Sequence, residues 1–469
     1  MLHPESKQSA ESPSAEDTIA AIITPPGEGG VAALRLAGPR SRAICSRHFR
    51  STSKNRSPWR PFVMRYGHFH TAESTVIDEI MVVYMPAGRS YTGLEQVELF
   101  CHGGRQVVRL ILDELLRSGA RAAEPGEFTR LAFENGRIDL ARAEAVAELI
   151  AANTMSAYQA SREHLLGAYS EHISMLRDQL VRIMAEFESM IDFPDEEIPQ
   201  MEQTQLTTQI DDIAAKIRTL LQSYAGGRII NEGFRIAIAG RPNAGKSSLF
   251  NLLLRQERAL VNPRPGTTRD YLSEWVELGG VAVNIIDTAG LRQGGGAIER
   301  LGQKRTKEIM RECHLVIWMV DISKAGWVKS LDNDVKALPV NNIIIVGNKI
   351  DLLGEKQAHN NLSNNEIIFM SCSKKSGFKN LEAALVKRIA DQMPDMTAGL
   401  VVTSARHKQK LNIALRSLID VRKKTVAGDS PEIVAFSIRQ ATNALDEITG
   451  RLYTEEVLGH IFGKFCIGK

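Results

Sequence analysis

Short apolar runs separated by turn residues fill the chain from residue 18 to about residue 136. Runs of this length predict β-strands, whereas apolar residues that recur every three or four positions predict an amphipathic helix. This part of the chain is therefore expected to fold as an α/β domain. The predicted strands cover residues 19–24, 31–36, 76–85 and 96–100, and the predicted helix covers residues 105–118.

Apolar residues recur at helical spacing in two further segments, one before and one after the middle of the chain. From residue 140 to about residue 224, apolar side chains such as Ile173, Leu176 and Leu180 recur at helical spacing, and this spacing returns after residue 396. Each segment has one apolar face, and the two faces would be buried most simply against each other. The segment between them would then be an insertion in a helical domain.

The length of 469 residues exceeds what one hydrophobic core supports and favours several domains. The first 17 residues are polar and rich in serine and glutamate, which predicts a disordered leader. The fold class is accordingly α/β plus all-α. The other predicted domains are an N-terminal α/β domain (18–136), a first helical part (137–230), an inserted domain (231–395) and a second helical part with the C-terminal tail (396–469).

A phosphate-binding motif lies at the start of the inserted segment. Gly240, Gly245, Lys246 and Ser247 fit the pattern G-x-x-x-x-G-K-S/T, between an apolar strand and a predicted helix, which is the context that this motif requires. In such a loop the backbone N–H groups surround the phosphates, the lysine reaches the terminal phosphates and the hydroxyl can bind Mg²⁺. The expected nucleotide contacts are Asn243, Ala244, Gly245, Lys246, Ser247 and Ser248.

Two later stretches predict that the base is guanine. Asn348, Lys349 and Asp351 follow the apolar run 342–346, so they lie at the carboxyl end of a buried strand. A carboxylate such as Asp351 can accept hydrogen bonds from both the ring N–H and the exocyclic amine of guanine, which adenine cannot offer. The last base-contacting loop is expected to contain Ser373, Lys374 and Lys375.

The remaining motifs concern the terminal phosphate and its magnesium ion. Four residues that end a predicted strand are expected to place a carboxylate near the metal and a backbone N–H near the phosphate: Asp287, Thr288, Ala289 and Gly290. Thr267 and Thr268 precede them in a loop, and Ser247 and Thr268 are predicted to bind Mg²⁺. In this order the four motifs resemble the Ras-like GTPase superfamily and predict an inserted P-loop GTPase domain that uses GTP and magnesium.

One position departs from many signalling GTPases. Leu291 stands directly after D-T-A-G, where a glutamine would orient the attacking water. Arg292 and Glu299 could take this role, because the glycine run 294–296 between them suggests a loop that closes over the phosphates. The alternative is that both are solvated loop charges, as most charged loop residues are.

The composition excludes several classes of protein. The chain has 58 Lys and Arg against 55 Asp and Glu, so its total charge gives no nucleic-acid or membrane signature. The five cysteines are scattered without a C-x-x-C pair, which favours a reducing cytosol. No segment is long and apolar enough to span a membrane, and the first residues lack the apolar centre of a secretory signal. A cytoplasmic protein without a membrane partner is therefore predicted.

Several stretches together resemble the MnmE (TrmE) family of tRNA modification GTPases, from about residue 17 onward. They are TPPGEGGVAALRLAGP at 24–39, EPGEFTRLAFENGRIDLARAEA at 124–145, IDFPDEE at 191–197 and FCIGK at 465–469. The resemblance implies a homodimer whose N-terminal α/β domains bind 5-formyl- or methylene-tetrahydrofolate as a one-carbon donor. It further implies a heterotetramer with the flavoprotein MnmG, which adds a carboxymethylaminomethyl or aminomethyl group to carbon 5 of the wobble uridine of certain tRNAs.

By the same resemblance, Arg35, Glu98, Arg137 and Lys469 match folate-contacting positions, although many members have lysine where this chain has Arg137. Cys466 matches the family's tail cysteine, for which a role in the modification is implied.

The resemblance also implies a GTPase that potassium activates. Asn243 would bind K⁺, the backbone of Asn262 and Arg264 and the side chain of Thr267 would complete the cage, and pairing of two GTPase domains would close it. A fixed cation at this place neutralises the charge that develops between the phosphates, as an arginine would. Glu299 matches the family's water-positioning acid. The predicted catalytic residues are therefore Glu299, Lys246 and Cys466.

An alternative class is a ribosome-assembly GTPase that binds rRNA. It would share the nucleotide motifs but should carry a nucleic-acid module, such as a G-x-x-G loop, after the GTPase segment, and the sequence has no convincing one there. A folate-dependent transferase acting alone would leave the GTPase motifs unexplained. A signalling switch is disfavoured by the large flanking domains and the missing lipidation signal.

Overall fold

Two compact units make up the chain. The first contains Met1–Glu144 and Thr449–Lys469, and the second contains Ala145–Ile448. The computed structural model describes residues 17–52, 59–192, 203–256, 258–259, 272–288, 306–336, 338, 340, 342–353, 367–393 and 400–469. Within these ranges, no helix combines the length and the apolar character needed to cross a membrane. All of the predicted leader except Asp17 lies outside them.

A seven-stranded sheet forms the centre of the first unit. Its strands are β1 (Ile19–Ile22), β2 (Gly29–Ala37), β3 (Phe49–Ser51), β4 (Arg65–His70), β5 (Val76–Met85), β6 (Gln96–Gly103) and β7 (Arg121–Ala122). They lie in the order β3-β4-β5-β6-β2-β1-β7, and all neighbours are antiparallel except β1 and β7. The helices of this unit are α1 (Ser41–His48), α2 (Arg105–Arg117), α3 (Glu127–Glu134) and α14 (Glu455–Phe462).

One face of this sheet is buried under helices. Ile111 of α2 is fully buried in the same hydrophobic core as Leu34 of β2 and Leu99 of β6. Because successive side chains of a strand point to opposite faces, the residues between these core positions belong to the other face. Arg35 and Glu98 therefore lie on the face opposite that core.

The C-terminal tail is fixed within the first unit. The backbone N–H of Phe128, at the start of α3, donates to the carbonyl of Lys469 at 3.0 Å. Gly468 has φ +94°, and a side chain there would place its Cβ only 2.3 Å from the carbonyl oxygen of Ile22. Only glycine fits this conformation without displacing the backbone of β1. The tail is thus packed between the end of β1 and the start of α3.

Long helices precede and follow the central part of the second unit. They are α4 (Leu140–Ala151), α5 (Met155–Leu166), α6 (Ala168–Asp192), α7 (Gln203–Glu232), α12 (Ala405–Ala427) and α13 (Pro431–Thr449). Helices α7 and α12 pack in opposite directions. Near one end Arg422 donates to Asp211 at 2.9 Å, and near the other Lys408 lies 4.4 Å from the ring centre of Tyr224. This is the packing that the two apolar faces predict.

A second seven-stranded sheet lies between these helices in the chain. Its strands are β8 (Phe234–Gly240), β9 (Arg258–Ala259), β10 (Leu272–Leu278), β11 (Val281–Asp287), β12 (Leu315–Asp321), β13 (Ile343–Asn348) and β14 (Ile367–Met370). The order is β14-β13-β12-β8-β11-β10-β9, parallel from β14 to β11 and antiparallel at β10 and β9. The associated helices are α8 (Lys246–Gln256), α9 (306–312), α10 (Trp327–Lys336) and α11 (Phe378–Ala390), with one 3-10 turn (Ile350–Leu352).

This arrangement puts the ends of β8, β11, β12 and β13 at one edge of the sheet, which is where ligands bind in open parallel sheets. Two hydrophobic cores, one containing Ile238 and Ile285 and the other Trp318 and Ile345, are assembled from the parallel strands and hold that edge in place. The predicted fold class, an N-terminal α/β domain, a helical domain and a Ras-like P-loop domain, is confirmed.

One carboxylate accepts hydrogen bonds from both segments that connect the helices to the second sheet. Oε1 of Glu148, in α4, accepts a hydrogen bond from Nδ2 of Asn231 at 3.2 Å, just before β8. The same oxygen accepts from Oγ1 of Thr403 at 3.1 Å, just before α12. Nε2 of His164 lies 2.8 Å from the carbonyl oxygen of Val401. The segments that enter and leave the second sheet are therefore held together at one point.

Several elements differ from those that the sequence predicts. Helix α7 continues to Glu232, whereas the apolar period indicates an end near residue 224. The two glycines after that point suggest a stop, but Gly227 is the place where the carbonyl of Val402 approaches the helix, since a Cβ there would lie 2.2 Å from that oxygen. Strand β6 runs on to Gly103, three residues past its predicted end.

Candidate functional site

The loop between β8 and α8 has the geometry of a phosphate cradle. Gly245 has φ +101°, and a Cβ there would lie 2.1 Å from Nδ2 of Asn348, so no other residue fits. Asn243 also has a left-handed backbone, with φ 65°. Lys246 is buried and its Nζ donates to the carbonyl of Arg241 at 3.0 Å. The ammonium is thus folded over the loop, as it must be to reach the terminal phosphates.

A hydroxyl and a carboxylate meet at the first turn of α8. Oγ of Ser247 donates to Oδ2 of Asp287 at 2.8 Å, and Asp287 is only 1% exposed at the end of β11. Thr288 is also buried and donates to the carbonyl of Ile238 at 2.9 Å. One hydroxyl and one carboxylate beside a phosphate loop are the donor set that Mg²⁺ takes, because this ion keeps waters and phosphate oxygens as its other ligands. The residues present therefore fit magnesium.

Asn348 connects the phosphate loop to the last loop of the sheet. Its side chain is buried, donates from Nδ2 to the carbonyl of Ala244 at 2.9 Å, and accepts at Oδ1 from the backbone N–H of Cys372 at 3.1 Å. Both ends of the amide are used in these bonds. Asn348 therefore fixes the position of the two loops relative to each other, a role that its sequence motif alone does not reveal.

Lys349 adopts a left-handed backbone with φ 72°, and its Nζ lies 2.6 Å from Oδ2 of Asp321 at the end of β12. Burial alone would raise the pKa of Asp321, but hydrogen bonds from Lys349 and Ser323 outweigh it and hold this pKa below its usual value. Sequence reasoning missed Asp321. The sequence does contain a feature that could have identified Asp321, since it is the acidic residue at the end of the apolar run of β12.

Asp351 is exposed on the 3-10 turn after β13. The hydroxyl of Ser371, followed by that of Ser373, donates to the carboxylate and lowers the pKa of Asp351, with Ser373 Oγ at 3.3 Å from Oδ2. Ser371 Oγ also accepts from the backbone N–H of Lys374 at 3.1 Å, and Lys375 has φ 57°. The lowered pKa favours the ionised carboxylate, which is the form that can accept two hydrogen bonds from one base.

Part of the predicted nucleotide site lies outside the described residues. This part contains the residues before β10 and after β11, and with them the predicted potassium ligands other than Asn243. The residues concerned are Asn262, Arg264, Thr267, Thr268, Ala289, Gly290 and Glu299. Of the remaining predicted contacts, Ser248 is exposed one residue after Ser247, and Ala244 is buried in the loop.

A second cluster of chemistry-bearing side chains lies in the first unit. Arg35 on β2 and Glu98 on β6 stand opposite each other in register, and Nε of Arg35 donates to Oε1 of Glu98 at 2.9 Å. Nε2 of Gln96 donates to the same oxygen at 3.0 Å. The guanidinium carbon lies 5.3 Å from the ring centre of Tyr91 and 5.4 Å from that of Phe128. Both charged side chains keep about one-sixth of their surface exposed, at 16% and 15%.

The structure brings Lys469 to this cluster through Phe128, whose ring contacts Arg35 and whose N–H holds the Lys469 carbonyl. Arg137 contacts the other end of the loop that carries Tyr91, by donating to the carbonyl of Gly88 at 3.1 Å. Four residues that are far apart in the sequence are thus arranged around one loop and the tail.

Cys466 has an exposed thiol in the same tail. Its carbonyl accepts from the N–H groups of Gly126 at 3.4 Å and Lys469 at 3.3 Å, so the backbone around the thiol is ordered. Among the described residues, no group of three or more His, Cys, Asp and Glu side chains could hold a metal ion.

Comparisons with known proteins cover nearly the whole chain. Residues 18–137 match the family model for the GTP-binding protein TrmE N-terminus, and residues 140–466 match the model for the MnmE helical domain. The chain is 38% identical to the tRNA modification GTPase MnmE of Heliobacterium modesticaldum, over 97% of this chain and 99% of that protein. It is 40% identical to the protein of the same name from Symbiobacterium thermophilum and 39% to that from Natranaerobius thermophilus, over 97% of this chain and 100% of each relative.

Proposed function

Because the chain belongs to the MnmE family of tRNA modification GTPases, we propose that it couples GTP hydrolysis to modification of the wobble uridine of certain tRNAs. The protein is a GTP hydrolase. Its proposed partner is the flavoprotein MnmG, with which it adds a carboxymethylaminomethyl or aminomethyl group to carbon 5 of that uridine. The proposed setting is the cytoplasm, and the proposed assembly is a homodimer that joins MnmG in a heterotetramer.

The observation that supports this proposal is the joint presence of the phosphate loop around Lys246 and a second cluster, Arg35 with Glu98, in the unit that also holds the tail residue Lys469. A GTPase that served only as a switch would not need the second site. An rRNA-binding GTPase is not favoured, because the described residues that follow the last strand of the second sheet form the helices α11, α12, α13 and α14 and no further sheet.

In the proposed mechanism the phosphate loop binds GTP and Lys246 holds the terminal phosphates. Ser247 and Asp287 would hold Mg²⁺, directly or through water, and the ion would neutralise charge on the phosphates. Asp351 selects guanine, and Asn348 keeps the base-contacting loop at a fixed distance from the phosphate loop. We propose Glu299 as the residue that orients the attacking water.

We further propose that K⁺ activates hydrolysis through Asn243. The exposure of Asn243 in the phosphate loop supports this assignment, since its side-chain oxygen is accessible to a cation beside the bound phosphates. An ion bound there would supply positive charge between the phosphates, the role that an arginine has in other GTPases.

Replacing Asn243 is expected to abolish potassium stimulation while GTP binding persists. In Asn243→Ala the ratio of turnover in potassium to turnover in sodium should fall to about one, because the cation loses its side-chain ligand. The measurement is steady-state phosphate release at equal ionic strength. Asn243→Gly is the matched variant, since it removes the same side chain without strain at φ 65°. Stimulation that survives in both variants would remove Asn243 from the cation site.

We propose that the Arg35–Glu98 cluster binds a tetrahydrofolate one-carbon donor, as 5-formyl- or methylene-tetrahydrofolate. A pterin ring presents an amine beside a ring N–H, and a carboxylate can accept both bonds. Glu98 is suited to this because Arg35 and Gln96 already bond only one of its oxygens, Oε1. Arg137 and Lys469 would close the site from the loop and from the tail, and the exposed thiol of Cys466 would face the modification reaction.

Replacing Glu98 with glutamine is expected to lower affinity for 5-formyltetrahydrofolate about 10- to 100-fold, since bonds to a charged acceptor are lost. Isothermal titration calorimetry with the purified protein measures this change. Glu79→Gln, on the neighbouring strand β5, is the control and should bind normally. GTP affinity should be unchanged in both variants. Equal folate affinity in Glu98→Gln and the wild type would exclude Glu98 from the site.

The proposed function as a whole is tested by reconstitution. The chain, MnmG, GTP, a tetrahydrofolate donor and unmodified tRNA are combined, and the wobble nucleoside is analysed by mass spectrometry. The expected product carries the new group at carbon 5 only when GTP is hydrolysed. Unmodified uridine in the complete mixture, with a working MnmG, would contradict the proposal.

A further inference from the structure

The exposed side of helix α12 carries a one-sided set of positive charges. At 100° per residue, Lys408, Arg416, Arg422 and Lys423 fall within an arc of about 120° centred on Ile419. All four are exposed, as is Ile419. The only carboxylate of this helix, Asp420, falls outside the arc. The arc spans about 22 Å along the helix from Lys408 to Lys423.

The cations on the other sides of the same helix each have an acceptor within the protein, which shows that the pattern is not a general property of α12. Lys410 contacts the carboxylate of Glu447, and Nζ of Lys424 lies 2.7 Å from Oδ2 of Asp420. Arg406 donates to the carbonyl of Glu447 at 2.6 Å. The cationic side chains of α12 that lie outside the arc, Arg406, Lys410 and Lys424, therefore each have an acceptor.

Within the arc the described structure supplies one carboxylate only. Asp211 of α7 contacts Arg422 at 2.9 Å, and both side chains are about half exposed, at 48% and 55%. In the part of the chain that the structure describes, neither Arg416 nor Lys423 forms an ion pair with a carboxylate, although the charge of Lys423 helps to lower the pKa of Asp420. Lys408 rests on the ring of Tyr224 and not on an acid.

Helix α7 extends the same surface with a fifth cation. Arg218 is exposed and lies two turns after Asp211, so both belong to one face of α7. Because α7 and α12 run in opposite directions and Asp211 meets Arg422, Arg218 lies alongside the middle of the arc. The basic face is defined here as Lys408, Arg416, Arg422, Lys423 and Arg218.

We infer that the basic face binds the phosphate backbone of the tRNA substrate. This inference rests on the proposed function, which supplies the tRNA. The ammonium and guanidinium groups form an exposed row along the adjacent helices α7 and α12. Such a row matches a polyanion that presents a phosphate at each nucleotide. Contacts to phosphates position a nucleic acid without reading its sequence. The whole chain carries almost no net charge, so this local excess is what would attract RNA.

The basic face is distinct from the phosphate loop and from the Arg35–Glu98 cluster. None of its five residues contacts the phosphate loop in the described structure, and Arg35 and Glu98 belong to the other compact unit. Its substitution should therefore leave GTP turnover and folate binding unchanged. Contacts to phosphates are electrostatic, so their loss should reduce the dependence of affinity on salt as well as affinity itself.

The experiment measures tRNA binding by the full-length protein across a salt series. The variant Arg416→Ala/Lys423→Ala should bind tRNA about tenfold more weakly at low salt, and the magnitude of the slope of log K against log salt should fall by about 1.4 to 1.8. Adding Arg218→Ala should lower this magnitude by about a further 0.7 to 0.9. The control is Lys379→Ala/Lys387→Ala on α11, which removes two exposed lysines elsewhere and should behave as the wild type.

The outcomes separate the inference from the function on which it rests. If the wild type binds tRNA with a salt-dependent affinity and Arg416→Ala/Lys423→Ala matches it in both affinity and slope, the inference is overturned and the proposed function stands. If the wild type does not bind tRNA under any salt condition, the proposed function and the inference fail together. Normal tRNA binding with lost binding of the flavoprotein would assign the basic face to a protein partner and overturn the inference.

Discussion

In Asp351→Asn, the protein is expected to prefer xanthosine triphosphate over GTP. The carboxylate of Asp351 can accept two hydrogen bonds from the guanine edge, and hydrogen bonds from Ser371 and Ser373 lower its pKa and so favour the ionised form. An asparagine amide would instead donate to the carbonyl that xanthine has in place of the guanine amine. Loss of a charged acceptor at two bonds should lower GTP affinity about 100-fold or more, with a gain for xanthosine triphosphate.

Equilibrium binding of fluorescent derivatives of both nucleotides measures this exchange of preference. Asp332→Asn is the control, because Asp332 is an exposed carboxylate on α10 that forms an ion pair with Lys336. It should keep the wild-type preference. A protein with Asp351→Asn that still selects GTP over xanthosine triphosphate would show that another group reads the base.

Replacing Glu299 with alanine is expected to reduce GTP turnover about 10²- to 10⁴-fold, the range that a positioned acid or base contributes. Leu291 occupies the place of the usual glutamine and has no group that can bond water, so another residue must orient the nucleophile. Affinity for GTP should change little, because an interaction made only in the transition state affects turnover and not binding.

Single-turnover hydrolysis and nucleotide binding, measured on one preparation, separate these two effects. Glu308→Ala provides the comparison, since Glu308 is an exposed acid nine positions later in α9. Its turnover should equal that of the wild type. A fall of less than about tenfold in Glu299→Ala would favour the reading of Glu299 as a solvated loop charge.

Local motifs predicted the secondary structure around the phosphate loop, because this loop is built from consecutive residues. The strand, the loop and the helix that surround Lys246 follow from apolar runs and two glycines, and the structure has them at 234–240 and 246–256. The Ras-like sheet follows from the alternation of buried runs with helices. Contacts between distant residues did not follow, and Asn348 illustrates this. Its bonds join residues 104 and 24 positions away, which no local pattern encodes.

In the first unit, elements with few apolar residues escaped prediction. Strand β4 (RYGHFH) buries a glycine and a histidine beside one phenylalanine, so it lacks the alternation that marks a strand. Helix α1 is only eight residues long and buries Ser41 and His48 at its ends. The pairing of Arg35 with Glu98 was also invisible, because it depends on the register of β2 and β6, which are separated by more than fifty residues.

The bonds of Glu148 have a consequence for the modularity of the chain. Asn231 and Thr403 lie on opposite sides of the GTPase fold in sequence, yet both lie within 3.2 Å of the same carboxylate oxygen. A short linker in place of residues 234–400 could therefore rejoin the chain without separating α7 from α12. The chain thus enters and leaves the GTPase fold at one place on the helical bundle. The bundle without the GTPase fold is expected to fold as a smaller independent domain.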